Sequence, residues 1–228
     1  MRTAKFKIVN DNTGEWEVEF YENEQKCKSL EVDLTKSKVA KSYSGFAIIN
    51  EDLKLLLRWA KQLKNNVDDF EKKHKDFSGK NFGIIEKGNE EIQDNYFSLF
   101  TAISVIYGRL FTENKSRGVT LNRKDHVKSE HKQIHDELIK IRRDYIAHSS
   151  DKMYEDSKVF VVLNPNNSSQ FLIVHHFSKV YFSAGKLIDK MIENFKCLEE
   201  HMKNKLDALH IKLTEDYKNQ KLLIKSRK

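Results

Sequence analysis

The stretch that decides the fold begins Asn50-Glu51-Asp52-Leu53-Lys54-Leu55-Leu56-Leu57-Arg58-Trp59-Ala60-Lys61-Gln62-Leu63. Leu53, Leu56, Leu57, Ala60, Leu63, Val67 and Phe70 recur three and four residues apart. At 3.6 residues per turn that spacing draws one apolar stripe along a helix. Asn50 reads as its N-cap, with Glu51 and Asp52 in the first turn. The expected helix covers residues 50–75, and Ser78-Gly79 and Gly83 break it.

Downstream the same period returns twice more before a strand signal interrupts it. Residues 89–111 place Ile92, Tyr96, Leu99, Phe100, Ile103, Ile106, Tyr107 and Leu110 on a broad face, and a basic loop follows, Thr112-Glu113-Asn114-Lys115-Ser116-Arg117-Gly118, running on to Arg123 and Lys124. A third helix is expected over residues 125–148, with Ile134, Leu138, Ile141 and Tyr145 on its core side. Val159–Leu163 and Phe171–Val174, joined by Asn164-Pro165-Asn166-Asn167-Ser168-Ser169, read as a hairpin whose continuously apolar arms suit strands covered on both faces. A last helix is expected to begin near His176 and bury Val180, Tyr181, Ala184, Leu187, Ile188, Met191, Ile192, Phe195 and Leu198. From Glu199 the stripe thins, and the tail reads as a projecting or fraying helix.

Upstream, residues 4–34 alternate. Phe6 and Ile8 are followed, beyond the Asn10–Gly14 turn, by Trp16, Val18 and Phe20 interleaved with Glu15, Glu17 and Glu19; Leu30, Val32 and Leu34 repeat the pattern after a polar turn at Glu22–Gln25. Period two with one buried face predicts a three-stranded meander. The division expected is a meander with its connection at 1–49, a helical bundle at 50–200 carrying the hairpin 159–174, and a charged helical extension at 201–228. The fold class is α+β, mainly α.

Composition agrees. With 39% hydrophobic and 33% charged residues, 14 Phe and 8 Tyr, the 228-residue chain has ample material for a core, which excludes disorder throughout. One Pro and 8 Gly favour long helices over many short strands. The formal charge of +7 suits a polyanionic partner. Two cysteines, Cys27 and Cys197, make no disulfide framework and point to a reducing compartment. Residues 1–10 lack the apolar core of a signal peptide, and no apolar run approaches the roughly 20 residues that span a bilayer. A soluble, cytoplasmic protein is expected, without a membrane partner.

Chemistry concentrates in Ile141-Arg142-Arg143-Asp144-Tyr145-Ile146-Ala147-His148-Ser149-Ser150. Asp144 and His148 are four apart, so on a helix they share a face and can hydrogen-bond. A carboxylate on one imidazole nitrogen fixes the tautomer and favours the cation, as does the negative end of a helix dipole. Arg143 offers a planar fork suited to phosphate. RNA cleavage needs a base for the 2′-OH, an acid for the leaving 5′ oxygen and a fixed cation for the phosphorane. The alternative is an Arg–Asp surface pair and a histidine capping the last carbonyls.

Arg143-Asp144-Tyr145-Ile146-Ala147-His148 resembles the shortest motif of the HEPN superfamily: Arg, a polar residue, three to five residues, then His. Tyr107-Gly108-Arg109-Leu110-Phe111 and its loop are similar to the preceding helix end in such proteins, and the resemblance covers residues 50–200. It implies a four-helix bundle and a metal-independent endoribonuclease that leaves 2′,3′-cyclic phosphate and 5′-OH ends. No cofactor or metal is implied. Arg143 would bind and stabilise the phosphate, His148 do acid–base work and Asp144 orient His148. Arg109, Lys115, Arg117, Arg123 and Lys124 would hold RNA backbone near the cleavage centre; the alternative for the group is a solvated loop. A homodimer, a setting in bacterial defence or a toxin system, and an antitoxin or effector protein as partner are also implied. The rival readings are a non-catalytic HEPN-like dimerisation or nucleic-acid-binding module, and a purely structural helical protein.

His131 and His135 have a zinc-compatible spacing, but Lys132 stands where the metalloprotease pattern wants Glu, and they read as solvated helix histidines.

Overall fold

The structure is a computed structural model that describes residues 2–10, 15–73, 90–115, 117–146, 155–165, 167–179, 184–219 and 221. It is mainly helical with two small antiparallel sheets. Strands β1 (Arg2–Asn10), β2 (Glu15–Glu22) and β3 (Gln25–Cys27) precede helices α1 (Lys38–Lys73) and α2 (Glu90–Leu110). A helical turn α3 (Arg123–His126), a 3₁₀ turn (Ser129–His131), helix α4 (Lys132–Lys140) and a π-helical turn (Ile141–Ile146) come next. Strands β4 (Glu155–Asn164) and β5 (Asn167–Lys179) and helix α5 (Ala184–Lys218) complete the order. The chain divides into two units, one of residues 1–43 with 209–228, the other of residues 44–208.

In the first unit β1 and β2 pair antiparallel, with Phe6 opposite Val18 and Ile8 opposite Trp16, as the alternation requires. The third strand departs from expectation. Asn23 (φ 48°) and Glu24 (φ 67°) both take left-handed backbone, which makes the two-residue turn favoured in hairpins and reverses the chain directly after Glu22. The strand that results is Gln25–Cys27, not Leu30–Leu34. Asp33 accepts hydrogen bonds from the backbone N and the hydroxyl of Thr35, at 2.9 and 2.6 Å, and this local turn ends the period-two segment after Val32, which keeps only a single β-bridge. Phe20, Leu30 and Leu34 stay exposed. The turn expected at 10–14 lies outside the described residues beyond Asn10.

Helix α1 begins twelve residues before the expected start, since it opens at Lys38 and not at Asn50. Ser37 is the cap: its hydroxyl accepts from the backbone N of Ala40 at 3.1 Å. Phe46 and Ile49 are buried and continue the Leu53 stripe backwards at helical spacing, so Asn50 falls in the helix interior, itself buried. A capping residue type followed by two carboxylates imitated a start that the apolar period overrides.

The second unit packs around Tyr107 of α2, which is fully buried. Its ring centroid lies 5.3 Å from that of Phe195 on α5 and 5.7 Å from that of His135 on α4. Ile49, Leu53, Leu56, Ala60 and Leu63 of α1, Phe100, Ile103 and Leu110 of α2, Leu138 of α4, and Ile188, Met191, Leu198 and Met202 of α5 are buried with them.

Three expectations are corrected here. The helix expected at 125–148 is interrupted: Asn122 caps the short α3 through its side-chain oxygen, Val127 turns inward in extended backbone, and the helix restarts at Ser129. Its last described turn is π-helical, not α. His175 and His176 do not open the last helix, because β5 runs on to Lys179 with His175 opposite Val159 and His176 opposite Lys158. Helix α5 is described from Ala184, continues unbroken to Lys218, and still buries Met202; Val180 and Tyr181 lie outside the described residues.

The hairpin arms are not covered on both faces. Val159, Val161, Val162, Leu163, Leu172 and Ile173 are each between 50% and 67% exposed. Among the described residues, β1–β3 form one sheet and β4–β5 another.

Candidate functional site

Helix α4 carries its apolar side, Ile134 and Leu138, into the core, and Ile141 continues that line into the π turn. A π turn closes i→i+5 hydrogen bonds, so it holds one residue more than an α turn and re-aims the side chains beyond it. Ile141 is buried, Arg142 half-buried, and Arg143 exposed, its side chain 66% accessible. Asp144 is half-buried beside it. The Arg143 Nε donates to Asp144 Oδ1 at 2.5 Å and its Nη2 to Oδ2 at 3.0 Å, a bidentate pair between sequence neighbours. That carboxylate holds the guanidinium proton more firmly still, shifting its pKa upward. His148 lies outside the described residues, as do Ser149 and Ser150, and the side chain of Tyr145 is not described.

Arg142 was missed in the sequence. Its side chain crosses the backbone of α2 at Gly108, where a Cβ would stand 2.0 Å from Arg142 Cδ and 2.7 Å from its Nε. A Cβ at this position would require the end of the Arg142 side chain to move aside. A glycine inside an apolar helical stretch was the available signal. The contact sets the end of α2, with Arg109, against the π turn that carries Arg143.

The other basic residues divide by partner. Arg109 is half-exposed, and its Nη2 donates to Asp52 of α1 at 2.5 Å. Arg117 is buried: its Nη2 donates to the carbonyls of Arg109, at 2.6 Å, and Thr112, at 3.4 Å, bracing the loop from inside. Burial lowers its pKa, a shift that Asp52 opposes. That position does not suit the phosphate contact expected of Arg117. Arg123 makes two 2.6 Å hydrogen bonds to Asp136, which is thereby held below the usual carboxylate range. Lys115 and Lys124 are exposed.

His135 is buried, not solvated. Its Nδ1 lies 2.8 Å from the Tyr107 hydroxyl, which accepts from Asn194 Nδ2 at 2.9 Å and has its own proton to offer a neutral imidazole with Nδ1 unprotonated. Burial lowers the pKa of His135 and raises that of Tyr107, keeping both neutral. Half-exposed His131 is not joined to it in any group of three or more ligand residues; among the described residues there is no such group. Among them, too, no helix is long and apolar enough to cross a membrane.

No protein-family model, no curated protein and no solved structure matches this chain.

Proposed function

We propose that this chain is a metal-independent endoribonuclease of HEPN type, built on a four-helix bundle. One observation supports it above the rest: the π turn at the end of α4 presents an exposed arginine, Arg143, with Asp144 beside it, four residues before His148. In the reaction, the ribose 2′ oxygen attacks phosphorus as its proton passes to a base. The P–O5′ bond breaks, the leaving oxygen is protonated, and a 2′,3′-cyclic phosphate remains. His148 serves in proton transfer, and Arg143 stabilises the charge that builds on the phosphorane oxygens. A homodimer brings a second motif to the same phosphate, so that base and acid come from different copies. Arg109 at the end of α2, with Lys115 and Lys124, holds the RNA backbone. The setting proposed is bacterial defence or a toxin system, with an antitoxin or effector as protein partner.

A second reading, a non-catalytic nucleic-acid-binding module, draws on the Asp144 carboxylate that already occupies the fork of Arg143. Digestion of single-stranded RNA by the purified chain, with and without EDTA, separates the two. Cyclic-phosphate products that disappear in Arg143→Ala and His148→Ala support the enzyme. Tight RNA binding without cleavage supports the module.

A further inference from the structure

Among the described residues, three exposed arginines pair with a carboxylate, and they are held in two ways. Arg143 uses two hydrogen bonds to Asp144, and Arg123 two to Asp136. Arg109 uses one: its Nη2 donates to Asp52 Oδ1 at 2.5 Å. A guanidinium has five N–H donors, so a single contact fixes its direction and leaves most of the fork for a ligand. The anchors differ as well. Asp52 is 8% exposed, whereas Asp136 is exposed and Asp144 half-buried.

Arg109 is held at its main chain too. Buried Arg117 donates from Nη2 to the Arg109 carbonyl at 2.6 Å. The loop that carries Arg117 is seated on α1, where a Cβ on Gly45 would run into the Arg117 carbonyl oxygen and the Val119 side chain. Gly45 and Asp52 are seven residues apart, two helical turns, so they lie on one side of α1. That side meets both the Arg109 side chain and the loop that holds the Arg109 backbone. Packing alone does not call for charge here. Asp52 Oδ2 and Arg117 Nε are buried with no hydrogen-bond partner among the described residues. Such atoms are destabilising where an apolar residue would not be. What the arrangement secures is the place of an exposed guanidinium.

We propose that Asp52 is a positioning residue for RNA: it holds the Arg109 guanidinium at the end of α2 so that two of the remaining donors receive the oxygens of one phosphodiester. Asp52 itself touches no RNA, and the proposal rests on the reading of Arg109 as a backbone contact. A fork held in place before the ligand arrives loses less freedom on binding than a free side chain does. Two parallel charge-assisted hydrogen bonds then match the phosphate geometry. The relation is the reverse of that at Arg143, whose paired carboxylate already fills the fork. Removing the Asp52 carboxylate should therefore weaken RNA binding, although it makes the chain more positive.

The test is binding of the full chain to a single-stranded RNA oligonucleotide with 2′-O-methyl riboses, by fluorescence anisotropy across a salt series. Lacking a free 2′-OH, that probe survives the proposed reaction, so binding is read whether or not the chain is an enzyme. Arg109→Ala should raise Kd about tenfold to a hundredfold, the range for hydrogen bonds to a charged group. It should also flatten the slope of log K against log salt by up to roughly 0.7. Arg109→Lys keeps the charge without the fork, and should raise Kd about tenfold with the slope unchanged. Asp52→Ala should weaken binding by a factor similar to that of Arg109→Ala, with an unchanged helical circular dichroism spectrum. Asp52→Asn, which keeps an oxygen for Arg109, should recover part of the loss. In an Arg109→Ala background Asp52→Ala should change nothing further, whereas a general disturbance of the loop would add to the loss. Folded Asp52→Ala that binds as wild type does, or more tightly, overturns the proposal, and so do additive losses in the double variant. Binding at wild-type strength by Arg109→Ala or Arg109→Lys removes the phosphate fork and the proposal with it. Ordinary RNA that stays uncut while these binding effects hold counts against the ribonuclease reading alone and leaves Asp52 in its role.

Discussion

Arg143 and Asp144, adjacent in sequence on the π turn, hold each other through two hydrogen bonds while the guanidinium stays open to solvent. The carboxylate therefore has two effects on any phosphate that approaches. It neutralises part of the charge of Arg143, and in the proposed reaction it is the group that orients the His148 imidazole. Asp144→Asn removes the first effect and weakens the second. RNA should bind more tightly, with the slope of log K against log salt steeper by up to roughly 0.7, the value for one added phosphate contact on a single strand. Single-turnover cleavage should slow. Fluorescence anisotropy across a salt series measures the first; binding that weakens in the variant would show that Asp144 does not restrain Arg143.

Cleavage itself should survive EDTA and fail on DNA, because DNA lacks the attacking 2′-OH. His148→Ala should lose about a hundredfold to ten-thousandfold in rate, the usual worth of positioned acid–base help. Arg143→Ala should lose a comparable factor through the charge no longer stabilised in the transition state, about a hundredfold to a thousandfold. Gel analysis of end-labelled RNA is the measurement, with circular dichroism to show that both variants fold. Activity undiminished in folded His148→Ala would place the chemistry elsewhere.

Gly108 and Arg142 should behave as a coupled pair. Gly108→Ala puts a methyl group where Arg142 Cδ now lies, so the flexible end of that side chain must swing away. The cost of moving it offsets part of alanine's helix preference over glycine, about 1 kcal/mol. In an Arg142→Ala background those three contacts are gone, and the same substitution should be more stabilising than in wild type. A double-mutant cycle by urea denaturation reads the coupling directly. Independent effects would mean that the close approach does not constrain the turn.

Stability should fall in mild acid. Burial lowers the pKa of His126 and of His135 from the ordinary 6.5, so the folded chain favours both imidazoles neutral. The unfolded chain takes up protons first as pH drops through about 6.5, and the stability present above that value is progressively lost until the folded imidazoles protonate. Each kcal/mol lost lowers Tm by about 2–4 °C in a chain of this size. Thermal melts at pH 7.5 and pH 5.5 should separate, and His135→Gln, which keeps an acceptor for the Tyr107 hydroxyl, should narrow the gap. A Tm that rises on acidification would contradict the neutral assignment.

The sequence by itself determined the helical stripes through Leu53, Tyr107, Leu138 and Phe195, the β1–β2 pairing and the existence of the hairpin. Each of these comes from a local period, and a chain that must bury its apolar residues honours the period whatever its neighbours do. Arg143, Asp144 and His148 stand as an expectation of the sequence, drawn from their spacing, their place at a helix end and the resemblance they carry. Tertiary structure decided the rest. Whether Asn50 caps a helix or sits inside one depended on Phe46 and Ile49 finding a core upstream. The burial of Arg117 and His135 depended on which carbonyls and hydroxyls the fold brought to them, since a polar residue is admitted to a core only with partners. The exposure of the β4–β5 ribbon arose in the same way. A continuously apolar strand states that both its faces want cover, and only the packing of the other elements decides whether any of them supplies it.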